Sequence, residues 1–315
     1  ISQEYGKTSR PVSEEDASDL GRIARYTWRY FEEFVNAENN YLAPDNFQQE
    51  PYRGIAARTS PTNIGLGLLS ALTARDMGYI GFIEMADSIF DTITTIEKLQ
   101  KWNGHLFNWY DSNTLKPLNP RYISTVDSGN LVCYLITLVH GLKGCMDHPL
   151  ADQKCVNGIL DTLRCAQHEG YKETGIIGYL YETMQQPFDL AVWSGILNKL
   201  SQDGCFADLK ESHWRIKTER MIKLYTTELR ELMPWADILT AIPQNLITKL
   251  SDEQTTRLKE ISVSLNAIPH LRKIPAACKN ALDFLGTLND EGSENIAAWL
   301  DKTKAAFIQS SDRAQ

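Results

Sequence analysis

A chain of 315 residues with 43% hydrophobic content is long enough to bury one large core or two smaller ones without a disulfide or metal staple. Charged residues at 23% and a formal net charge of −8 exclude the basic footprint of a nucleic-acid binder, and no long basic run departs from that balance. No stretch reaches the roughly 18 uninterrupted apolar residues of a membrane span, so direct membrane insertion is not expected.

The cysteines, Cys133, Cys145, Cys155, Cys165, Cys205 and Cys278, form no CxxC pair and read as reduced thiols of a cytoplasmic protein. Cys145, Cys155 and Cys165 are close enough in sequence that a disulfide among them stays open. The N-terminus has no basic or apolar leader region and no initiator Met, which suggests a piece of a longer chain.

In chain order, residues 1–16 are polar and expected to be a flexible N-terminus. The spacing of Leu20, Ile23, Ala24, Trp28 and Phe31 predicts a helix from Ala17, capped by Asp16 or Ser18. Residues 36–57 carry turn chemistry without a period, a long ordered loop of the kind that often bears function. Ser60-Pro61 predicts a helix start, with a hydroxyl for an orphan N–H and a proline where no donor is missed. Its buried stripe is Ile64, Leu68 and Leu72, and Gly78 ends it. From Gly81, the apolar positions Phe82, Ile83, Ala86, Ile89, Phe90, Ile93, Ile96 and Leu99 predict the clearest helix of the chain. A loop of aromatic residues precedes a helix expected to start at Asp127 or Ser128, with Leu131, Leu135 and Leu138 facing inward.

Further on, 152–168 reads as an amphipathic helix and Gly170, Gly175 and Gly178 as a connection or short hairpin. Helices at 191–201, 206–232, 251–266, 277–287 and 294–309 complete the pattern, with breaks at Pro234 and Pro243. The fold expectation is all-α: a helical toroid portion over 17–190 and a charged helical section over 191–315, as a weak repeat of helical hairpins.

Three clusters carry chemistry. A sugar is apolar on its faces and polar round its rim, so its sites combine aromatic planes with amides, carboxylates and guanidinium groups. Asn108, Trp109, Tyr110 and Asp111 supply both kinds together; the alternative is that Trp109 and Tyr110 are satellite core over a helix end. Asp127, Ser128 and Asn130 combine capping with ligand groups, and at Arg58, Thr59, Ser60 and Asn63 only Arg58 and Asn63 exceed what capping needs. Glycoside chemistry calls for two carboxylates, and Asp111 with Asp127 is the best candidate catalytic pair, with Asp45 and Glu182 behind it. His140, Cys145 and His148 fit no zinc spacing, so no metal is expected. The glycines at 65, 67 and 170–178 complete no phosphate-binding motif, so no nucleotide or other cofactor is expected.

The runs Arg58–Ser70, Ala74–Gly81, Asn108–Asp111 and Arg121–Leu131, with Leu42–Gln48 beside them, resemble the glycoamylase-like module of cyclic β-1,2-glucan synthases. The resemblance covers roughly 40–145. It implies an (α/α)6 barrel, incomplete in this chain, acting on linear β-1,2-glucan by retaining transglycosylation that closes a ring. It also implies partners, a β-1,2-glucan oligosaccharide or polysaccharide and the remainder of a multidomain inner-membrane synthase, with this module on the cytoplasmic side. The family's catalytic glutamates are expected beyond this portion. On that view Trp109, Tyr110, Asp111, Asp127, Asn130 and Arg58 bind or orient sugar, with Thr59, Ser60, Asn63, Asn108 and Ser128 as further substrate-binding candidates, and this chain alone is inactive. Two alternatives stand beside it: a non-catalytic helical scaffold whose charged helix docks a partner, and a complete glucan hydrolase using Asp111 and Asp127.

Overall fold

A computed structural model describes residues 12–172, 175–209, 212–288 and 292–314. The protein is all-α, and its only sheets among the described residues are three two-stranded ladders. Helices α1 (Glu14–Phe34), α2 (Pro61–Asp76), α3 (Phe82–Lys98) and α4 (Thr125–Met146) build the first half. Between them lie β1 (Phe47–Gln48), β2 (Gly54–Ile55), β3 (Arg58–Thr59), β4 (Lys101–Trp102), β5 (His105–Leu106) and β6 (Tyr110–Asp111). The second half holds α5 (Gln153–His168), α6 (Ile176–Met184), α7 (Leu190–Leu200), α8 (His213–Leu232), α9 (Trp235–Ile238), α10 (Gln244–Ile247), α11 (Asp252–Asn266), α12 (Ile274–Leu285) and α13 (Glu294–Arg313). Among the described residues the helices do not close into a barrel.

Local signals place most helix ends. Ser60 accepts from the Asn63 N–H at 3.2 Å with Pro61 next in the chain, as its sequence predicts. Ser13 rather than Asp16 caps α1, accepting from the Asp16 N–H at 3.1 Å, so the helix starts three residues before Ala17. Ser124 caps α4 by accepting from the Asp127 N–H at 3.1 Å, which moves Asp127 from the expected cap into the first turn. Where Gly170, Gly175 and Gly178 mark a connection or short hairpin in the sequence, α6 begins at Ile176, and residues 206–232 include a short 3-10 turn at Ala207–Leu209 and α8. Phe90, expected inward, is exposed, because Met85, Ile89 and Thr92 already fill the buried face of α3.

Two buried apolar clusters form among the described residues. One gathers Trp28, Leu42, Ile64, Leu68, Met85, Tyr110 and Leu138; the other runs from Leu150 to Phe307 and includes Trp193, Trp214 and Trp235. The clusters part in the chain between Leu138 and Leu150, and Phe82 packs against both.

Helix α8 ties the halves at the turn between α2 and α3. Gly81 caps α3 without a side chain to offer, and the Glu228 carboxylate of α8 accepts from the Ile83 N–H at 2.7 Å in its place. A Cβ on Gly81 would lie 2.5 Å from that carboxylate. Burial pushes the Glu228 carboxyl up to about 7 against the opposing pull of those N–H donors and Arg75. Its folded value is above the unfolded 4.5, so the protein pays for ionisation as pH rises through that interval. Glu228→Gln is therefore expected to gain stability relative to the parent between about pH 4.5 and 7, by at most roughly 3 kcal/mol. Urea unfolding of both proteins across that range tests this; parallel stability curves would refute the assignment.

Candidate functional site

The sequence clusters meet because α2 and α4 pack side by side and β3 pairs antiparallel with β6. The ladder sets Arg58 opposite Asp111 and Thr59 opposite Tyr110. The chain before it is stitched to the same place: the Asp45 N–H donates to the Arg58 carbonyl at 2.8 Å, and Asn40 Nδ2 donates to the Ser112 carbonyl at 2.7 Å.

At the N-termini of α2 and α4 the side chains form a continuous chain of polar contacts. Thr62 Oγ1 donates to Asp127 Oδ1 at 2.7 Å and accepts from Asn130 Nδ2 at 3.2 Å. Asn108, with its amide oxygen turned toward the available donors, accepts from Trp109 Nε1 and the Tyr122 hydroxyl, both at 2.7 Å, and donates to Asp127 Oδ2 at 3.0 Å. Both oxygens of Asp127 are thus engaged while it sits in the positive first turn of α4. The Arg58 guanidinium lies 4.6 Å from the Trp109 ring centroid. Its Nε and Nη2 donate to Asp45 Oδ2 at 3.1 and 2.7 Å, and Asn63 Nδ2 approaches Asp45 Oδ1 at 3.4 Å. The half-buried indole of Trp109 is consequently fixed at its N–H by Asn108 and over its ring by Arg58.

Other expected site residues have work inside the fold. Tyr110 is fully buried, its hydroxyl donating to the Gln100 carbonyl and accepting from the Phe107 N–H, both at 2.7 Å; burial raises its pKa. Thr59 is fully buried and donates to the Ala43 carbonyl at 2.6 Å, and Ser60 is spent as the cap of α2. Half-buried Ser128 makes no side-chain hydrogen bond among the described residues. Asp111 Oδ1 accepts from the Thr114 N–H at 2.7 Å, from the Asn113 N–H at 3.0 Å and from Thr114 Oγ1 at 3.0 Å. Those bonds, the Thr114 N–H foremost, hold its pKa below the usual carboxylate value. A group stabilised as the anion is poorly suited to donate a proton to a leaving glycosyl oxygen. Glu182 lies apart, exposed on α6.

Sequence reasoning kept Asp45 only in reserve and passed over Thr62 and Tyr122. Asp45 falls within the Leu42–Gln48 run, and Thr62 within the run that starts at Arg58, so motif position held the only available signal. Carboxyls pushed upward are found elsewhere, at Glu84, Asp161 and Glu228, all by burial. Among the described residues no group of three His, Cys, Asp or Glu side chains is placed to hold a metal ion, and no helix is long and apolar enough to cross a membrane. Cys133, Cys145, Cys155, Cys165 and Cys278 are not in disulfides.

No family model matches the chain. Over 150 residues, 48% of its length, it is 51% identical to the cyclic beta-(1,2)-glucan synthase NdvB of Rhizobium meliloti (strain 1021), and the matched part makes up 5% of that protein. Identity of that degree over that length reflects common descent, and the chain therefore carries a module related to a cyclic β-(1,2)-glucan synthase.

Proposed function

We propose that this chain is part of a carbohydrate-active module that acts on linear β-1,2-glucan in the making of the cyclic product, and that it supplies sugar-binding residues. The supporting observation is the convergence of Arg58, Trp109, Asn108, Asp127 and Asn130 at the paired N-termini of α2 and α4. An oriented indole offers a surface for the apolar face of a glucose ring, and the guanidinium, amides and carboxylates around it match the hydroxyl rim. The identity to a cyclic β-(1,2)-glucan synthase supports a β-1,2-linked glucan as that polymer. Ring closure by retaining transglycosylation, as a glycoamylase-like activity, needs a nucleophilic carboxylate and a separate acid/base. Asp111 is already committed to its turn, so in this reading Asp127 orients sugar and the acid/base pair comes from elsewhere in a larger inner-membrane synthase, with this module on the cytoplasmic side.

Calorimetric titration with linear β-1,2-gluco-oligosaccharide, with β-1,3 and β-1,4 oligosaccharides as controls, tests the proposal. Selective saturable binding is expected. Trp109→Ala should weaken it more than tenfold with the thermal transition retained, a loss on the scale of about 1.4 kcal/mol or more. Equal affinity of parent and variant would remove the site.

A further inference from the structure

Tyr122 lies in the loop before α4 and is 47% exposed, more open than Trp109 or the buried Tyr110. Both ends of the residue are tied to Asn108. Its carbonyl accepts from the Asn108 N–H at 2.9 Å, and its hydroxyl donates to the Asn108 amide oxygen at 2.7 Å. With the carbonyl and the hydroxyl both engaged, the surface left open belongs chiefly to the ring between them. The same amide oxygen accepts from Trp109 Nε1, so the polar tips of the two aromatic side chains meet at one atom. That atom is well fixed: Asn108 is 6% exposed, and its amide nitrogen donates to Asp127 Oδ2 on α4 at 3.0 Å.

The two rings are presented differently. The Arg58 guanidinium stands over Trp109, 4.6 Å from its centroid, whereas no cation lies over Tyr122 among the described residues. Nor do the rings stack on each other, and neither takes part in an aromatic pair among the described residues. Tyr122 therefore keeps apolar surface that the fold does not use. A ring anchored at both ends loses little freedom when a ligand covers it, and a pyranose face is apolar enough to do so.

We infer that Tyr122 is a second stacking platform of the α2–α4 site, which takes two consecutive glucose residues of the glucan, one against Trp109 and the next against Tyr122. Rings held by one amide oxygen are near neighbours, so they meet adjacent sugars of one chain. The linkage between those sugars makes the second contact intramolecular and raises affinity over that of a single sugar. This inference rests on the proposed reading of the site as sugar-binding, and adds to it a residue and a ligand length.

The test follows the Trp109 indole N–H resonance, assigned by its loss in Trp109→Phe, during titration with methyl β-glucoside and with the β-1,2-linked glucose disaccharide. The parent is expected to bind the disaccharide at least tenfold more tightly than the glucoside. Tyr122→Ala should weaken the disaccharide at least fivefold and leave the glucoside within twofold of the parent. Tyr122→Phe keeps the ring and should bind the disaccharide more tightly than Tyr122→Ala. Should the alanine variant lose its thermal transition, Tyr122→Leu fills the same space without an aromatic face and serves in its place. Parent-like disaccharide affinity in Tyr122→Ala overturns the second platform and leaves the Trp109 site standing. Equal losses for both ligands would mean that Tyr122 only props Trp109, and a phenylalanine variant no better than alanine would assign the effect to the hydroxyl; either result overturns the inference. A parent resonance that moves with neither ligand overturns the sugar-binding reading and this inference with it.

Discussion

Gly158→Ala is expected to be among the most damaging single substitutions in the chain, costing at least about 4 kcal/mol. A Cβ at position 158 would sit 1.8 Å from the Gly78 carbonyl oxygen and 2.3 Å from its carbonyl carbon. These are backbone atoms, so no rotamer change relieves the collision. Gly78 is itself pinned: its φ is +72°, a Cβ there would lie 2.0 Å from the Lys154 carbonyl, and its own carbonyl accepts from the Tyr225 hydroxyl at 2.8 Å. Helix α5 thus meets the α2–α3 turn backbone to backbone, and one methyl group must push apart α5, that turn and α8 together. Gly144→Ala is the control, since a Cβ there meets nothing within 4 Å and the site is helical; it should be neutral or stabilising by up to about 1 kcal/mol. Urea unfolding followed by circular dichroism separates the two, and a Gly158→Ala midpoint close to the parent's would contradict the packing described.

Arg25→Met should cost about 3 kcal/mol and should change the acid limb of the stability profile. Arg25 is fully buried on α1, yet its Nε donates to Thr162 Oγ1 at 2.8 Å and its Nη2 to Glu32 Oε2 at 3.1 Å. Its guanidinium also lies 5.5 Å from the Tyr79 ring and 5.2 Å from the Trp214 ring, so a single side chain joins α1, α5 and α8. Removing one partner of a buried pair typically costs 3–5 kcal/mol, and Lys217, 2.9 Å from the same Glu32 oxygen, keeps the loss near the lower end. Burial alone would raise the Glu32 pKa; Arg25, then Lys217 and Arg220, outweigh it and hold it below 4.5. A depressed carboxyl contributes stability above its unfolded value and loses it as pH falls through the folded one. Without Arg25 the Glu32 value rises, so the variant should begin to lose stability at a higher pH than the parent on acidification. Unfolding midpoints between pH 6 and 3 would show this, and an acid limb unmoved by the substitution would exclude Glu32 as its origin.

How far each feature was legible follows from the range of the interaction behind it. Ser60-Pro61 could be read as a helix start because a cap needs only a hydroxyl and residues within one turn. The same reasoning misplaced the start of α4, where Ser124, Asp127 and Ser128 all carry suitable groups and only the folded chain puts Ser124 at the cap. Trp109, just before β6, and Tyr110, its first residue, are adjacent and chemically alike, yet one is held half-exposed beneath Arg58 and the other is sealed into the core. Asp111 is half of a candidate catalytic pair in the sequence, and only the fold shows that its turn places two N–H groups and a hydroxyl on one oxygen.

The amino-acid sequence alone determined the helical class, most helix spans and the grouping of sugar-compatible residues at helix starts, because periodicity, capping and proline act within a turn or two of their own position. Its motifs also pointed to the glucan synthase relationship. Tertiary structure decided what no local pattern encodes: that Asp127 joins Thr62 and Asn108 from two separate segments, and that Glu228 caps a helix more than a hundred residues earlier in the chain. Those contacts depend on how helix faces are apposed, and that apposition is set by the summed fit of both buried clusters rather than by any one segment.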